Sequence, residues 1–255
     1  MKLNHKIFGN GSPVVILHGL FGMLDNWRAI AKSLESDFQC ILFDLRNHGK
    51  SPRDPNMDYK VMAADVLESM DDLGLKEAII MGHSMGGKVA MRFAFDYPQR
   101  ISKLIVVDIA PREYPPHHED VIRAIEAIHP EKMKDRTEAE NILRSELGED
   151  EATIQFILKN LSRVAEGGFA WKANMPVLIN SYASIITSVN SEEPFNKPVL
   201  FIRGEKSNSV QADDLTEINE LFPDSRVITI KNAGHWVHAD QPAALLDVIL
   251  PFLQA

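Results

Sequence analysis

One cysteine in 255 residues leaves no partner for an intramolecular disulfide, and with no His-Glu-x-x-His motif it argues against a metal centre of thiolates or paired histidines. No apolar run approaches the roughly 18 residues of a membrane span, and Met1 to Lys6 lacks the apolar segment of a secretory signal, so a cytoplasmic, reducing setting is expected. Basic charge is also in deficit: 27 Lys and Arg against 36 Asp and Glu give a net charge of −9. Neutralising phosphates needs a basic face, so a general nucleic-acid binder is disfavoured. Repeats, low-complexity tracts and interdomain linkers are absent. With 45% hydrophobic and 25% charged residues, the chain reads as globular rather than disordered or fibrous. Cys40, inside the apolar stretch Phe38 to Phe43, is expected to be a buried core residue.

Short, continuous apolar runs occur at Val14–Leu17, Ile41–Phe43, Ala78–Met81 and Leu104–Val107, and again at Val199–Ile202 and Arg226–Ile230. Such runs suit strands covered on both faces. Helical spacing over Trp27–Leu34, Val61–Leu73 and Lys88–Tyr97 alternates with them, and Pro242–Leu253 closes the chain as an amphipathic helix. Alternating strands and helices predict an α/β fold with a mostly parallel sheet flanked by helices. From 115 to 182 the pattern turns charged and helical, at Glu119–Ile128, Thr137–Leu147 and Glu151–Leu161, without comparable strand signals. This segment is expected to be a helical cap inserted into a core of residues 1–114 and 183–255.

Gly82-His83-Ser84-Met85-Gly86-Gly87 lies between a strand and a helix. Gly-x-Ser-x-Gly in that setting places Ser84 on a tight turn as a candidate nucleophile, while the helix start aims unpaired N–H groups and a positive dipole end at the same spot. The loop His18-Gly19-Leu20-Phe21-Gly22 follows the first strong strand. Its Leu20 N–H, with that of Met85, forms the expected oxyanion hole.

A serine hydroxyl needs a base. Of nine histidines, His235 lies in Asn232-Ala233-Gly234-His235-Trp236, between the last strand and the last helix, at the same end of the sheet as Ser84. His238 faces a helix start without a flanking glycine, His83 should diverge from Ser84, and His5, His117, His118 and His129 read as surface residues. A carboxylate should then fall between positions 84 and 235 in chain order. Its usual place is the loop after Val199–Ile202, commonly Gly-x-x-Asp, but here that loop reads Gly204-Glu205-Lys206-Ser207. Asp108, at the end of Val106-Val107-Asp108, is preferred, with Glu205 as the alternative.

Together with Asp44-Leu45-Arg46-Asn47-His48-Gly49-Lys50-Ser51 and Asp108-Ile109-Ala110-Pro111, these motifs resemble the α/β-hydrolase superfamily along nearly the whole chain, most like the YbfF-type bacterial esterases. The resemblance implies a serine carboxylesterase with a small helical lid inserted after the sixth strand, an acid at Asp108 and no cofactor. Carboxylic esters are the implied substrates, with acyl-CoA thioesters a further class. Phe21 and Trp236, with cap residues Ile122, Ile125, Phe156 and Leu178, are candidate acyl-pocket residues, and Arg123 and Arg163 candidate contacts for an anionic group or else solvated surface. The alternatives are a carbon–carbon bond hydrolase with the same three side chains and a non-catalytic ligand-binding protein on the same scaffold. Neither the natural substrate nor the oligomeric state is legible.

Overall fold

The computed structural model describes residues 1–165 and 167–255. Seven strands form the main sheet: β1 (His5–Phe8), β2 (Ser12–Leu17), β3 (Phe38–Phe43), β4 (Ala78–His83), β5 (Ile101–Val107), β8 (Val199–Gly204) and β9 (Ser225–Ile230). Their order is β1-β3-β2-β4-β5-β8-β9, and only the edge pair β1–β3 is antiparallel. The expected α/β architecture is therefore present. Each predicted run lies within an observed strand, but β1 is an addition. Its four residues are at most half-buried, with Ile7 45% exposed, so they carry no continuous apolar run.

The sheet separates two cores by strand alternation. Val15, Leu17, Ile41, Phe43, Ile80, Val106 and Phe201 face one, whereas Val14, Ile16, Cys40, Leu42, Met81, Ile105 and Leu200 face the other. Cys40 is fully buried, as expected. Helices Tyr59–Asp72 and Met85–Asp96 cover the first face; Arg28–Leu34 and Pro242–Gln254 cover the second.

The insertion leaves the sheet after β5, the fifth strand in this chain rather than the sixth that the resemblance suggested. Its helices Glu119–Ala127, Arg136–Leu147 and Glu151–Leu158 occupy the predicted segments. The Asp135 and Asp150 carboxylates cap the last two by accepting backbone N–H groups. Two features were not expected: the short antiparallel pair β6 (Leu161–Arg163) and β7 (Phe169–Trp171), and the helices Met175–Asn180 and Tyr182–Ile185. The two stems of the insertion run side by side, with Tyr114 N–H donating to Ile186 O and Val189 N–H to Pro111 O. Lys88, 1% exposed, donates to Arg112 O at 2.7 Å and Thr187 O at 2.5 Å, tying both stems to the helix that begins at Met85.

Candidate active site

Ser84 sits at the exit of β4 with φ 52° and ψ −122°, immediately before the helix Met85–Asp96. A left-handed φ at a non-glycine residue is strained, and it persists where surrounding packing enforces it. Here a Cβ on Gly82 would lie 2.1 Å from Gly86 O, and one on Gly86 would lie 2.5 Å from Leu17 O. The turn therefore closes only with glycine at both positions. Phe21, Asn47, Ser84, Asp108 and Asn232 are the non-glycine residues with positive φ among the described residues, and three of the five are predicted site positions. Strain is concentrated where the strands empty into one region.

Asp108 follows β5, fully buried, and Ser84 N–H donates to the adjacent Val107 O at 3.0 Å. His235 Nδ1 donates to Asp108 Oδ2 at 2.7 Å. With its proton on Nδ1, the neutral ring carries the basic lone pair on Nε2. Asp108 Oδ1 accepts Gly204 N–H at 2.8 Å, and Oδ2 also accepts the Ser207 hydroxyl at 2.5 Å. Ser209 Oγ lies 3.1 Å from His235 Nδ1. Glu205, the alternative acid, instead accepts Asn232 N–H at 2.8 Å and makes no hydrogen bond to His235. Ser207 and Ser209, not singled out from the sequence, thus flank the Asp108–His235 pair.

His83 diverges from Ser84 as expected, but it does not leave the site. Its Nε2–H donates to His235 O at 2.8 Å, and the two rings lie 4.8 Å apart. Burial, followed by the neighbouring His235 and His238, holds its pKa well below the usual histidine value. His238 stacks on Trp27 at 4.4 Å, and its buried Nδ1 has no partner among the described residues. Both rings line the cavity beside His235, and burial keeps them neutral.

The loop carrying Leu20 is held from both sides. His18 Nδ1–H donates to Gly19 O at 2.8 Å, and its Nε2 accepts Leu45 N–H at 3.0 Å. His48 Nε2 accepts Phe21 N–H at 3.2 Å, while its Nδ1–H donates to Arg46 O at 2.9 Å. Burial lowers the two imidazoles to pKa values of about 4 and about 3, so each remains the neutral tautomer these bonds require. From the insertion, Asn160 Nδ2 donates to Phe21 O at 2.7 Å. Among the described residues neither Leu20 N–H nor Met85 N–H has an acceptor. Two free donors therefore remain beside Ser84.

The segment after β3 supplies this support. Asp44 accepts Leu24 N–H, Asn4 Nδ2 and Lys50 N–H, and Arg46 grips Asp65 through two bonds of 2.6 and 2.9 Å. Asn47 Oδ1 receives Asn174 Nδ2 at 3.2 Å, joining this segment to the insertion.

Ser84, His235, Phe21 and Trp236 line a cavity of about 370 Å³, and the insertion contributes Val121, Phe156 and Ile157 to it. Of the apolar cap candidates, only Phe156 reaches this cavity; its ring lies 5.2 Å from that of Trp236. Ile122, Ile125 and Leu178 pack into the core between helices instead. Arg123 is exposed and pairs with Asp120 and Glu146, and Arg163 lies over the Phe169 ring, so neither meets the cavity. Of the four histidines expected at the surface, His118 is a correction. It is half-buried and lines the cavity beside Ser84 and His235.

The alpha/beta hydrolase fold profile matches residues 12–242, and the chain belongs to that family. It is 40% identical over 245 residues to esterase YbfF of Escherichia coli K12, covering 96% of this chain and 94% of that protein. It is 38% identical over 248 residues to the mouse sn-1-specific diacylglycerol lipase ABHD11, covering 94% and 80% respectively. A solved structure, a marine microorganism esterase, superposes with a TM-score of 0.96 at 38% identity, covering 98% of this chain and 99% of that one.

Proposed function

We propose that the chain is a serine hydrolase of small-molecule carboxylic esters that works through an acyl-enzyme. The observation that carries this reading is the 2.7 Å bond from His235 Nδ1 to buried Asp108, on a ring that shares a cavity wall with Ser84. The similarity to proteins named esterase and lipase supports the same class.

In this reading Ser84 Oγ attacks the ester carbonyl as His235 Nε2 takes its proton, and Asp108 stabilises the imidazolium that forms. The Leu20 and Met85 N–H groups receive the developing oxyanion, where one such donor is typically worth about 3 kcal/mol. His235 returns the proton to the departing alcohol. Water, activated by the same ring, then releases the acid and restores Ser84. Phe21, Phe156 and Trp236 provide apolar wall for one end of the ester. No step in this scheme calls on a cofactor. Acyl-CoA thioesters follow the same chemistry with a thiol as leaving group.

Labelling with a fluorophosphonate probe tests the scheme. Covalent modification of the wild-type protein that Ser84→Ala abolishes is expected, and an unlabelled, correctly folded wild-type protein overturns it. Rates on p-nitrophenyl esters of increasing acyl length, measured beside acyl-CoA thioesters, then fix the substrate range.

A further inference from the structure

His118 stands at the junction of three spaces. It lines the cavity under the insertion, a smaller one of about 40 Å³ beside Ser84 and Met85, and a groove of about 520 Å³ bordered by Arg112, Lys206, Asn208, Gln211 and His235. Its Nδ1 lies 2.9 Å from Tyr182 Oη, and that oxygen already accepts His117 N–H at 3.1 Å. Among the described residues the phenol proton has no other acceptor than His118 Nδ1. Tyr182 O–H therefore donates to that nitrogen, and the ring proton sits on Nε2. Nε2 has no partner among the described residues. Burial lowers the imidazole pKa to about 3, which keeps the ring a neutral donor rather than a competing base.

The direction in which this donor acts follows from the cavities. The groove touches His235 and His118 but not Ser84; Arg112, Lys206, Asn208 and Gln211 set polar side chains along it, and among the described residues no Asp or Glu lines it. In the ester-hydrolase reading the acyl group remains on Ser84, so the one of these three spaces that borders His235 without Ser84 is the side left to the departing alcohol, which takes its proton from His235. We propose that His118 Nε2–H is a specificity-determining donor to an oxygen on the alcohol portion of the substrate, favouring esters of polyols over esters of plain alkanols. The inference rests on the serine-hydrolase reading and adds to it the class of alcohol.

The test uses the full-length protein and two esters with the same acyl group and a three-carbon alcohol, glyceryl monobutyrate and propyl butyrate. One hydrogen bond predicts a kcat/KM ratio of up to about tenfold in favour of the glyceryl ester. In His118→Phe the ratio collapses toward one, chiefly through a raised KM for the glyceryl ester. His118→Gln, which keeps a side-chain N–H, recovers part of it, and Tyr182→Phe, which frees the ring tautomer, lowers it. His118→Asn supplies the same ratio if the phenylalanine variant does not fold. A wild-type ratio near one, or variants that slow both esters equally, overturns the assignment. Hydrolysis of neither ester, with no fluorophosphonate labelling, is failure of the serine-hydrolase reading instead.

Discussion

The Ser207 hydroxyl donates to Asp108 Oδ2 at 2.5 Å from the loop position where Gly-x-x-Asp would place the acid itself. The two sites are physically contiguous because β5 and β8 are neighbours and Asp108 N–H donates to Ile202 O at 2.7 Å. The Asp108 carboxylate and the side chain at position 207 therefore meet beside the same imidazole. Ser207→Ala removes one bond to a carboxylate, so kcat should fall about tenfold with KM nearly unchanged. Steady-state kinetics on a p-nitrophenyl ester decide it, and an unaltered kcat would show that the hydroxyl does not support the acid.

Asp108→Asn should be far more severe. The amide offers His235 an ambiguous donor or acceptor and no negative charge, and the comparable change in a serine protease lowers kcat by about 10⁴. Glu205→Gln, whose carboxylate accepts only Asn232 N–H among the described residues, should retain near-normal turnover. The opposite ranking of these two variants would reassign the acid.

Asn160 is fully buried, and its Nδ2 holds Phe21 O. Asn160→Ala leaves that carbonyl unpaired, costing about 1–3 kcal/mol of stability, and loosens the loop that carries Leu20. Because the oxyanion forms only in the transition state, the expected kinetic change is a fall in kcat larger than any rise in KM. A lowered Tm with unchanged kcat would confine Asn160 to folding.

Stability should drop as the solution is acidified. His18 and His48 have folded pKa values of about 4 and about 3, below the 6.5 of an unfolded histidine, so between those limits the unfolded chain binds more protons. Stability therefore rises with pH across this window and is lost on the way down, by up to about 1.4 kcal/mol per pH unit for each histidine. Thermal melts from pH 7 to 4.5 should show a falling Tm, and a flat profile would show that these rings protonate without consequence. His48→Gln should weaken the acid sensitivity.

The parallel sheet was legible because its central strands are buried on both faces, which turns alternation into continuous runs such as Val14–Leu17 and Leu104–Val107. Edge strand β1 and the pair β6–β7 carry three or four residues each and bury little, so they leave no such mark. The convergence of Ser84, His235 and Asp108 was readable because each follows a strand at the same end of the sheet. His118 was not, since its place beside Ser84 depends on how the insertion folds over the core, and neighbours in the chain do not encode that. The supports of the Leu20 loop come from positions 48 and 160, and no local spacing links these to position 21. The phrase from Asp44 to Ser51 did offer a signal. Its length and polarity exceed what a turn requires, and that surplus is scaffold.

Asn160 and Asn174 reach from the insertion into the Phe21 and Asn47 loops, and Lys88 secures both of its stems. The insertion is thereby also a buttress. Exchanging it wholesale for that of another hydrolase would reshape the cavity wall and at one stroke dismantle part of the groundwork beneath the proposed reaction centre. Engineered chimeras should keep these amides and graft only the helices lining the void.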